Sequence, residues 1–497
     1  MPIARCSSAE GMPVSEIASR AVRGTLAIAA STLVGRVASF LGALYLMAKL
    51  QPSDFGVVAY AAALLSVCDA VANWGFAQGA IHRHERVEET FSAFLCLRLL
   101  GLVGVLALFG LGAMPFRAAL LARTDARVLL ALVGALVVGA ASDPPAALLA
   151  RQMRFGRLAL AEGLAAVVAT AVGVGLAALG FGVWALVGNR VAEAAGRLVG
   201  LLVFGARMPV PRLHLAEARW LLGFGLPLWL GSLATTWVLR YDDLVVGQLR
   251  GQATLGHYDR AYRLALLPLG LVTAVLTKVS FPLYARLRDD RRRLSEAFRM
   301  VASITFRGAL LIALAMAVFL PDFLVAMGWR RWRPMVAMFR WLLPYAVLRP
   351  LMDDAGGLLT AVGRPRVTGH TLVAEALALL VLCPILTWRW GARGAAASVG
   401  LVVLAGLGTW YARYLPRHVA VPAWRIFGWP LVASCVGVGA ATAGGHLGLR
   451  PGWQAGAASV AAAVLAFAAT LLITEGRSTL GDLRLLLHHL RARDRDG

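Results

Sequence analysis

Charged side chains lie near the middle of several apolar segments that are long enough to cross a bilayer. They are Arg36, Asp69, Arg190, Arg240, Arg307 and Arg349. A charge at this depth costs roughly 2.5 kcal/mol or more unless it faces a partner or a water-filled cavity. Arginine keeps its charge, and its planar fork donates paired hydrogen bonds to phosphate oxygens. The residue types therefore favour a binding site for an anion within the membrane.

Helical spacing places several of these charges on polar stripes. Ser66, Asp69 and Asn73 stand at i, i+3 and i+7, and Arg190, Glu193 and Arg197 repeat that spacing. We predict that four arginines face a hydrated cavity and bind a pyrophosphate group: Arg36, Arg190, Arg240 and Arg307. The alternative is that each arginine neutralises a nearby acid and holds helices together. Arg197, near an inner end, is expected to extend along the helix toward water.

Acids within the spans have two interpretations, ion coupling or pairing with an arginine. The three candidates are Asp69, Asp243 and Asp353. Asp243 follows Arg240 by three residues and Asp353 follows Arg349 by four, so both are spaced for a local ion pair. Glu375 lies near a span end and is expected to be solvated.

A basic face is predicted at the outer end of the eighth apolar segment. His257, Arg260 and Arg263 descend one side of it, where they would contact either the cargo at its exit or only the membrane interface. No His or Cys pattern has metal-ligand spacing, and the paired aspartates lack the spacing of a metal-binding enzyme motif. We therefore expect no metal, no cofactor and no catalytic residues.

Composition and segment length place the chain among membrane proteins. Apolar residues make up 59% of its 497 residues, charged residues 15%, and the mean hydropathy is +0.72. Since a span takes roughly 20 apolar residues, we predict an all-α polytopic membrane protein with about 14 transmembrane helices. The predicted spans are 25–48, 57–80, 91–114, 128–150, 158–180, 181–205, 221–247, 258–283, 298–320, 336–360, 368–388, 394–412, 427–447 and 453–474.

The net charge of +23 comes almost entirely from arginine and lies in short loops and within spans. The positive-inside rule then places both termini in the cytoplasm. The loop Arg286–Arg293 is expected to attract anionic membrane lipids. Charge in such short loops argues against nucleic acid as a partner.

An internal repeat relates two points that are 200 residues apart. Pro52–Tyr60 and Ala253–Tyr262 each contain a polar turn, a large apolar residue followed by Gly, and a helix rich in Ala and Tyr. Paired halves with a site between them are a common plan of transporters.

At these residues the chain resembles the Wzx-type oligosaccharide and polysaccharide flippases of the multidrug/oligosaccharidyl-lipid/polysaccharide (MOP) exporter superfamily. The similarity spans roughly residues 20–415. The matching motifs are Leu50–Gly56, Arg151–Phe155, Phe181–Val187, Tyr241–Gly247, Leu255–Tyr258 and Ala261–Tyr262.

The resemblance implies two pseudo-symmetric six-helix lobes around a central cavity that opens alternately to either side. It implies a bacterial inner-membrane protein that moves undecaprenyl-pyrophosphate-linked oligosaccharide for exopolysaccharide or lipopolysaccharide biosynthesis, with polysaccharide polymerase or export machinery as further partners. The predicted division is a cytoplasmic tail 1–24, an N-lobe 25–205, a linker 206–220, a C-lobe 221–412, two additional helices 427–474 and a basic cytoplasmic tail 475–497.

Two other functions stay open. A cation-coupled multidrug exporter of the same superfamily would favour acids and aromatic residues in its cavity, whereas this interior is richer in arginine. A membrane glycosyltransferase or ligase is a remote alternative, because no loop is large enough to form a catalytic pocket.

Overall fold

The computed structural model describes residues 34–112, 125–270, 274–420, 423–445 and 453–493, and every structural statement below concerns these ranges. Within them the chain is helical and contains no β-strand. The first eight helices are α1 (34–49), α2 (Pro52–Ala72), α3 (Phe76–His82), α4 (Val87–Gly112), α5 (Ala126–Arg151), α6 (Phe155–Ala178), α7 (Val183–Val203) and α8 (Leu215–Arg250). The next eight are α9 (Gln252–Ala265), α10 (Ala274–Leu287), α11 (Arg291–Ala326), α12 (Arg333–Ala361), α13 (Pro365–Trp390), α14 (Ala392–Thr409), α15 (Ala423–Gly445) and α16 (Trp453–Arg493).

Ten segments of the described chain are helical, long and apolar enough to cross a membrane. They confirm an all-α, multi-pass membrane protein. The predicted span 25–48 begins outside the described residues. The spans predicted at 181–205 and 336–360 coincide with α7 and α12, which fall outside the ten. The number fourteen therefore stays a prediction.

The span predicted at 258–283 contains a local irregularity, and its extent stays a prediction. Helix α9 ends at Ala265, a turn follows at Leu266, and α10 begins at Ala274, with 271–273 outside the described residues. Pro268 lies just after the turn. Proline has no N–H to donate, so the carbonyl of Leu264 lacks its regular helical donor.

The chain forms two compact units. Among the described residues, unit 1 comprises those within 34–50, 68–229 and 490–493, and unit 2 comprises those within 51–67 and 230–489. Helices α2 and α8 each run from one unit into the other. The predicted boundaries of the lobes, the linker and the tails stay predictions.

In unit 1, small residues bring α6 and α7 close together. A Cβ added at Gly196 would lie 3.3 Å from Ala165 Cα, and one added at Gly200 would lie 3.2 Å from Ala161 Cα. Helix α1 approaches α6 in the same way, with Gly35 facing Gly163. Small residues spaced by four let helix backbones approach in membranes, where van der Waals packing replaces the hydrophobic effect.

In unit 2, the two copies of the internal repeat contact each other reciprocally. A Cβ added at Gly56 of α2 would lie 1.8 Å from the carbonyl oxygen of Gln252, at the start of α9. A Cβ added at Gly256 of α9 would lie 1.8 Å from the carbonyl oxygen of Pro52, at the start of α2. The Phe55-Gly56 and Leu255-Gly256 positions of the two motifs therefore meet where α2 crosses α9. Only glycine permits so close an approach of the two backbones.

The end of α14 departs from a regular α-helix. A π-helical turn, Trp410–Tyr414, follows it and leads into a 3₁₀ turn, Leu415–Arg417. The next helix, α15, then packs with α16 against α11 through a core that includes Leu314, Ala433 and Phe467. Turns of the π type are rare and occur often at functional sites.

Candidate functional site

Four helices of unit 1 each contribute one charged side chain to a shared ion network. Arg98 of α4 lies at its centre, with Nη2 2.5 Å from Asp69 Oδ1 of α2 and Nε 3.0 Å from Asp143 Oδ2 of α5. Arg197 of α7 approaches the other oxygen of Asp143 at 3.4 Å. The side chain of Arg98 is only 3% exposed. A buried guanidinium needs such partners, since an isolated buried charge carries a desolvation penalty of several kcal/mol.

The Asp143 end of the network lies in a segment of α5 that contains a serine and two consecutive prolines. Asp143 lies next to Ser142, whose hydroxyl donates to Gly139 O at 2.6 Å and accepts from Arg197 Nη1 at 3.0 Å. Two prolines, Pro144 and Pro145, follow within the same helix. Each removes a backbone N–H, so two carbonyls of the preceding turn lose their regular helical donors.

A second polar cluster of unit 1 joins the loop between α3 and α4 to the start of α8. The Nε of Arg83 lies 3.3 Å from Oε2 of Glu217, which is 2% exposed, and Thr90 donates to the same carboxylate at 3.1 Å. The Arg83 guanidinium also lies over the ring of Trp220, 4.9 Å from its centroid. These contacts fasten the start of α8 to the α3–α4 loop.

Two of the four predicted phosphate-binding arginines, one exposed and one partly exposed, belong to unit 1. Arg36 of α1 is exposed and has no ion pair or hydrogen bond within the described part of the chain. Arg190 of α7 is 41% exposed and lies 3.2 Å from Glu193, which is itself 48% exposed. Neither arginine joins the Arg98 network.

The other two belong to unit 2. Arg240 of α8 is 38% exposed and lies 3.5 Å from the buried carboxylate of Asp243. The adjacent Asp242 is buried and accepts a hydrogen bond from Tyr258 at 2.5 Å. Arg307 of α11 is half-buried.

Arg349 of α12 joins two acids of unit 2. Its Nε lies 3.2 Å from Asp353 Oδ1 and its Nη1 lies 3.7 Å from Glu375 Oε2 of α13. Glu375 is only 3% exposed, so the prediction that it is solvated was wrong. The partner that allows its burial lies on a different helix, which spacing within one segment does not reveal.

The predicted exit face on α9 is organised around an acid that the sequence analysis did not single out. Both Arg260 and Arg263 pair with the buried carboxylate of Asp259, Arg263 at 3.1 Å. Arg260 also lies over the ring of Phe55, 4.6 Å from its centroid. The ring of His257 is hydrogen-bonded to Arg331 O at 2.8 Å. All three basic residues of the predicted exit face therefore contact other groups of the protein.

Sequence reasoning missed the central members of the unit 1 network, Arg98 and Asp143. The signal was present, because both are charges well inside a long apolar segment, as Arg36 and Asp69 are. It also placed Arg197 wrongly at the water interface, whereas its side chain reaches Asp143 and Ser142. Within the described ranges, no group of three or more His, Cys, Asp or Glu side chains is placed to hold a metal ion.

The fold and its intramembrane charges define a class, the polytopic α-helical membrane proteins. Residues 46–337 match the model of a family described as polysaccharide biosynthesis protein, and the chain belongs to that family. The match covers more than half of the 497 residues. It confirms the similarity to Wzx-type proteins that the hairpin motifs indicated.

Curated relatives agree with the family assignment. The chain is 29% identical over 262 residues to the succinoglycan biosynthesis transport protein ExoT of Rhizobium meliloti, covering 52% of each chain. It is 24% identical over 318 residues to the lipopolysaccharide biosynthesis protein WzxC of Escherichia coli, covering 63% of this chain and 64% of the relative. The matches thus span about half of the first relative and less than two thirds of the second.

Solved structures support the fold. The inward closed conformation of the lipid II flippase MurJ superposes with a TM-score of 0.69 at 13% identity, over 91% of this chain and 98% of the other. An inward-facing multidrug resistance MATE family transporter of the MOP superfamily gives a TM-score of 0.57 at 16% identity, over 77% and 94%. At these identities the similarity is one of fold.

Proposed function

We propose that this chain is a transporter, and not an enzyme, that moves undecaprenyl-pyrophosphate-linked oligosaccharide repeat units across the bacterial inner membrane. The movement proceeds by alternating access through a cationic cavity and serves exopolysaccharide or lipopolysaccharide biosynthesis. Family membership and the names of ExoT and WzxC support the class of cargo. The fold shared with a lipid II flippase supports a lipid-linked substrate.

One observation carries the assignment of the anion site, namely the exposure of Arg36 in α1, which belongs to the predicted span 25–48. A guanidinium directed at lipid tails is costly, so an exposed arginine at this depth faces water or a ligand. Arg36 has no acid partner in the described part of the chain. It therefore keeps its donors available for a pyrophosphate, unlike Arg98, whose charge two aspartates already balance.

The proposed cavity also includes Arg190, Arg240 and Arg307. The first two are partly exposed and lie beside acids of their own helix. Cargo phosphate would compete with those acids for the guanidinium, which provides a way to bind and then release the pyrophosphate. Asp69, Asp243 and Asp353 each lie in ion pairs, and a coupling role for any of them stays a proposal.

The test uses purified protein in liposomes that contain a labelled polyprenyl-pyrophosphate oligosaccharide, with the exposed fraction measured by an external glycosidase. Wild-type protein should expose the glycan, and Arg36→Ala should reduce the initial rate by roughly 10- to 100-fold, since a charged hydrogen bond contributes about 1.5–3 kcal/mol. Arg36→Lys should restore part of the rate, because lysine keeps the charge without the fork.

The matched control is Arg292→Ala, which removes an arginine that is 89% exposed and lies at the start of α11, before the predicted span 298–320. It should leave the rate unchanged. Equal loss in Arg36→Ala and the control would refute the anion site. Absence of exposure by the wild type, together with efflux of a small organic cation from the same liposomes, would instead place the chain with the multidrug exporters.

A further inference from the structure

Two cavities of unit 2 adjoin at Tyr411, in the π-helical turn after α14. The first, of about 430 Å³, lies where α11 begins and the 3₁₀ turn ends, and Arg291, Phe298 and Pro416 line it. The second, of about 580 Å³, lies among α11, α12, α14 and α15 and is lined almost wholly by carbon. Tyr411 lines both, so a polar opening leads to an apolar groove.

Positive charge collects at the polar opening. Arg291 donates to Pro416 O at 2.8 Å. Burial lowers the pKa of His418, and the positive charges of Arg364, Arg417 and Arg291 lower it further, which places three guanidinium groups near one imidazole. These arginines come from three separate segments of the chain, the start of α11, the α12–α13 turn and the 3₁₀ turn.

Within the described residues, no acid lies in ion-pair distance of the three arginines at this opening. Neighbouring arginines of the same loop are paired, Arg292 with Glu296 at 3.4 Å and Arg293 with Asp290 at 3.3 Å. None of Arg291, Arg364 and Arg417 has an ion pair among the described residues, and all three are exposed. Uncompensated arginines beside an apolar groove are complementary to a molecule with an anionic head and a hydrocarbon tail.

The local backbone keeps the groove open. The N–H of Ala420 donates to Ser295 Oγ at 2.9 Å, which fixes the segment after the 3₁₀ turn against α11. Farther in, Gly408 of α14 lines the apolar part, and a Cβ added there would meet nothing within 4 Å. The aromatic rings of Phe306 and Phe427 form its wall, with centroids 5.0 Å apart.

We propose that this paired cavity is a binding site for one anionic phospholipid, with its phosphate at Arg291, Arg364 and Arg417 and one acyl chain in the groove beside Gly408. Basic pockets between membrane helices bind anionic headgroups, and the carbon lining suits a hydrocarbon chain. None of the four arginines assigned to the cargo lines either cavity. The site is thus separate from the proposed cargo site and does not depend on the proposed function.

The experiment titrates the purified full chain with phosphatidylglycerol and with phosphatidylethanolamine of identical acyl chains, and counts retained lipid by native mass spectrometry. One phosphatidylglycerol should be retained in clear preference to phosphatidylethanolamine. Arg291→Gln and Arg417→Gln should each weaken retention of phosphatidylglycerol by about fivefold, the effect of one basic residue near an anionic lipid. Gly408→Phe fills the groove and should weaken retention of both lipids.

Two matched variants control for nonspecific effects. Arg292→Gln removes an equal charge from the same loop, and Gly104→Phe adds the same ring to α4, where a Cβ also meets nothing within 4 Å. Both should bind as the wild type does. If Gly408→Phe does not fold, Gly408→Leu tests the same space, and the arginine variants test the headgroup independently.

Three results would overturn the proposal. Equal retention of the two phospholipids would show that the opening does not select an anionic headgroup. An effect of Arg291→Gln no larger than that of Arg292→Gln would show that only loop charge matters. Displacement of phosphatidylglycerol by undecaprenyl phosphate, with the same dependence on Gly408, would assign the groove to the cargo's tail.

Discussion

Charge is distributed differently in the two units. In unit 1, Arg98 joins acids 29 and 45 residues away along the chain, so its ion pairs hold different helices together. In unit 2, Arg240 and Arg349 each pair with an acid three or four residues along the same helix. The Arg98 network forms only when helices pack, and so does the contact of Arg349 with Glu375 at 3.7 Å, whereas a pair within one helix exists as soon as that helix forms.

The difference has an energetic consequence. A buried network shared among helices cannot lose one member without leaving unpaired charge at membrane depth. A local pair can lose one member at lower cost where water reaches the group that stays, as it does for Arg190 and Glu193, which are 41% and 48% exposed. Unit 2 has a reciprocal steric constraint between helices, the crossing of Gly56 and Gly256.

The largest effect is expected from Arg98→Ala. It leaves Asp69 without its cation and Asp143 with only Arg197 at 3.4 Å, and it should lower the free energy of unfolding by roughly 3–5 kcal/mol, the range for breaking a buried pair. Thermal unfolding in detergent measures the change. Adding Asp69→Asn to Arg98→Ala should recover part of the loss. No recovery would mean that packing of the side chain, rather than its charge, matters.

Gly256→Ala tests the steric counterpart in unit 2. The added methyl group must displace the backbone of α2, so we expect a loss of about 1–3 kcal/mol, as for other overpacked sites. The same unfolding assay applies, with Gly104→Ala as the control at an open helical position. Equal stability of the two variants would contradict the close crossing.

A smaller effect is expected from Asp353→Asn. Arg349 keeps Glu375 at 3.7 Å, and the amide oxygen still accepts a hydrogen bond, so the loss should be about 1 kcal/mol. A loss as large as that of Arg98→Ala would show that the local pair is as indispensable as the network. The double variant Asp353→Asn, Glu375→Gln should be markedly less stable than either single variant.

The smallest effect belongs to Glu193→Ala in unit 1. Its pair with Arg190 is exposed on both sides, and such pairs contribute about 0–1 kcal/mol. Unfolding in low and high salt should give nearly the same small change. A loss above that range would show that Arg190 depends on Glu193 for its placement, and the comparison between network and local pair would no longer hold within unit 1.

The sequence predicts most of the architecture but only part of the charge pattern. Apolar periodicity and the hairpin motifs suffice for the helical membrane class and the family, because both are local signals. Spacing also finds Arg240 with Asp243 and Arg349 with Asp353, which lie one turn apart. It cannot find Arg98 with Asp143, since those partners meet only after the helices pack. The burial of Glu375 was missed for the same reason.

The turn at Leu266 has a local cause that is visible in the sequence. Pro268 stands two residues later, and proline removes one N–H from the regular helical pattern. By contrast, the residues next to Arg36 in the sequence do not predict its exposure. Thr32 and Ser39 are compatible with a helix face directed at lipid and with one directed at a cavity. Exposure depends on which helices α1 packs against, and only the folded chain specifies that.

The reciprocal crossing of Gly56 and Gly256 has a genetic consequence. Each glycine faces a main-chain carbonyl, of Gln252 and Pro52, and not a side chain. Every residue type carries that carbonyl, so no substitution at position 252 or 52 makes room for a larger residue at the crossing. Selection for suppressors of Gly56→Ala should therefore return true revertants, together with changes elsewhere that raise overall stability, and few compensating changes at the facing positions.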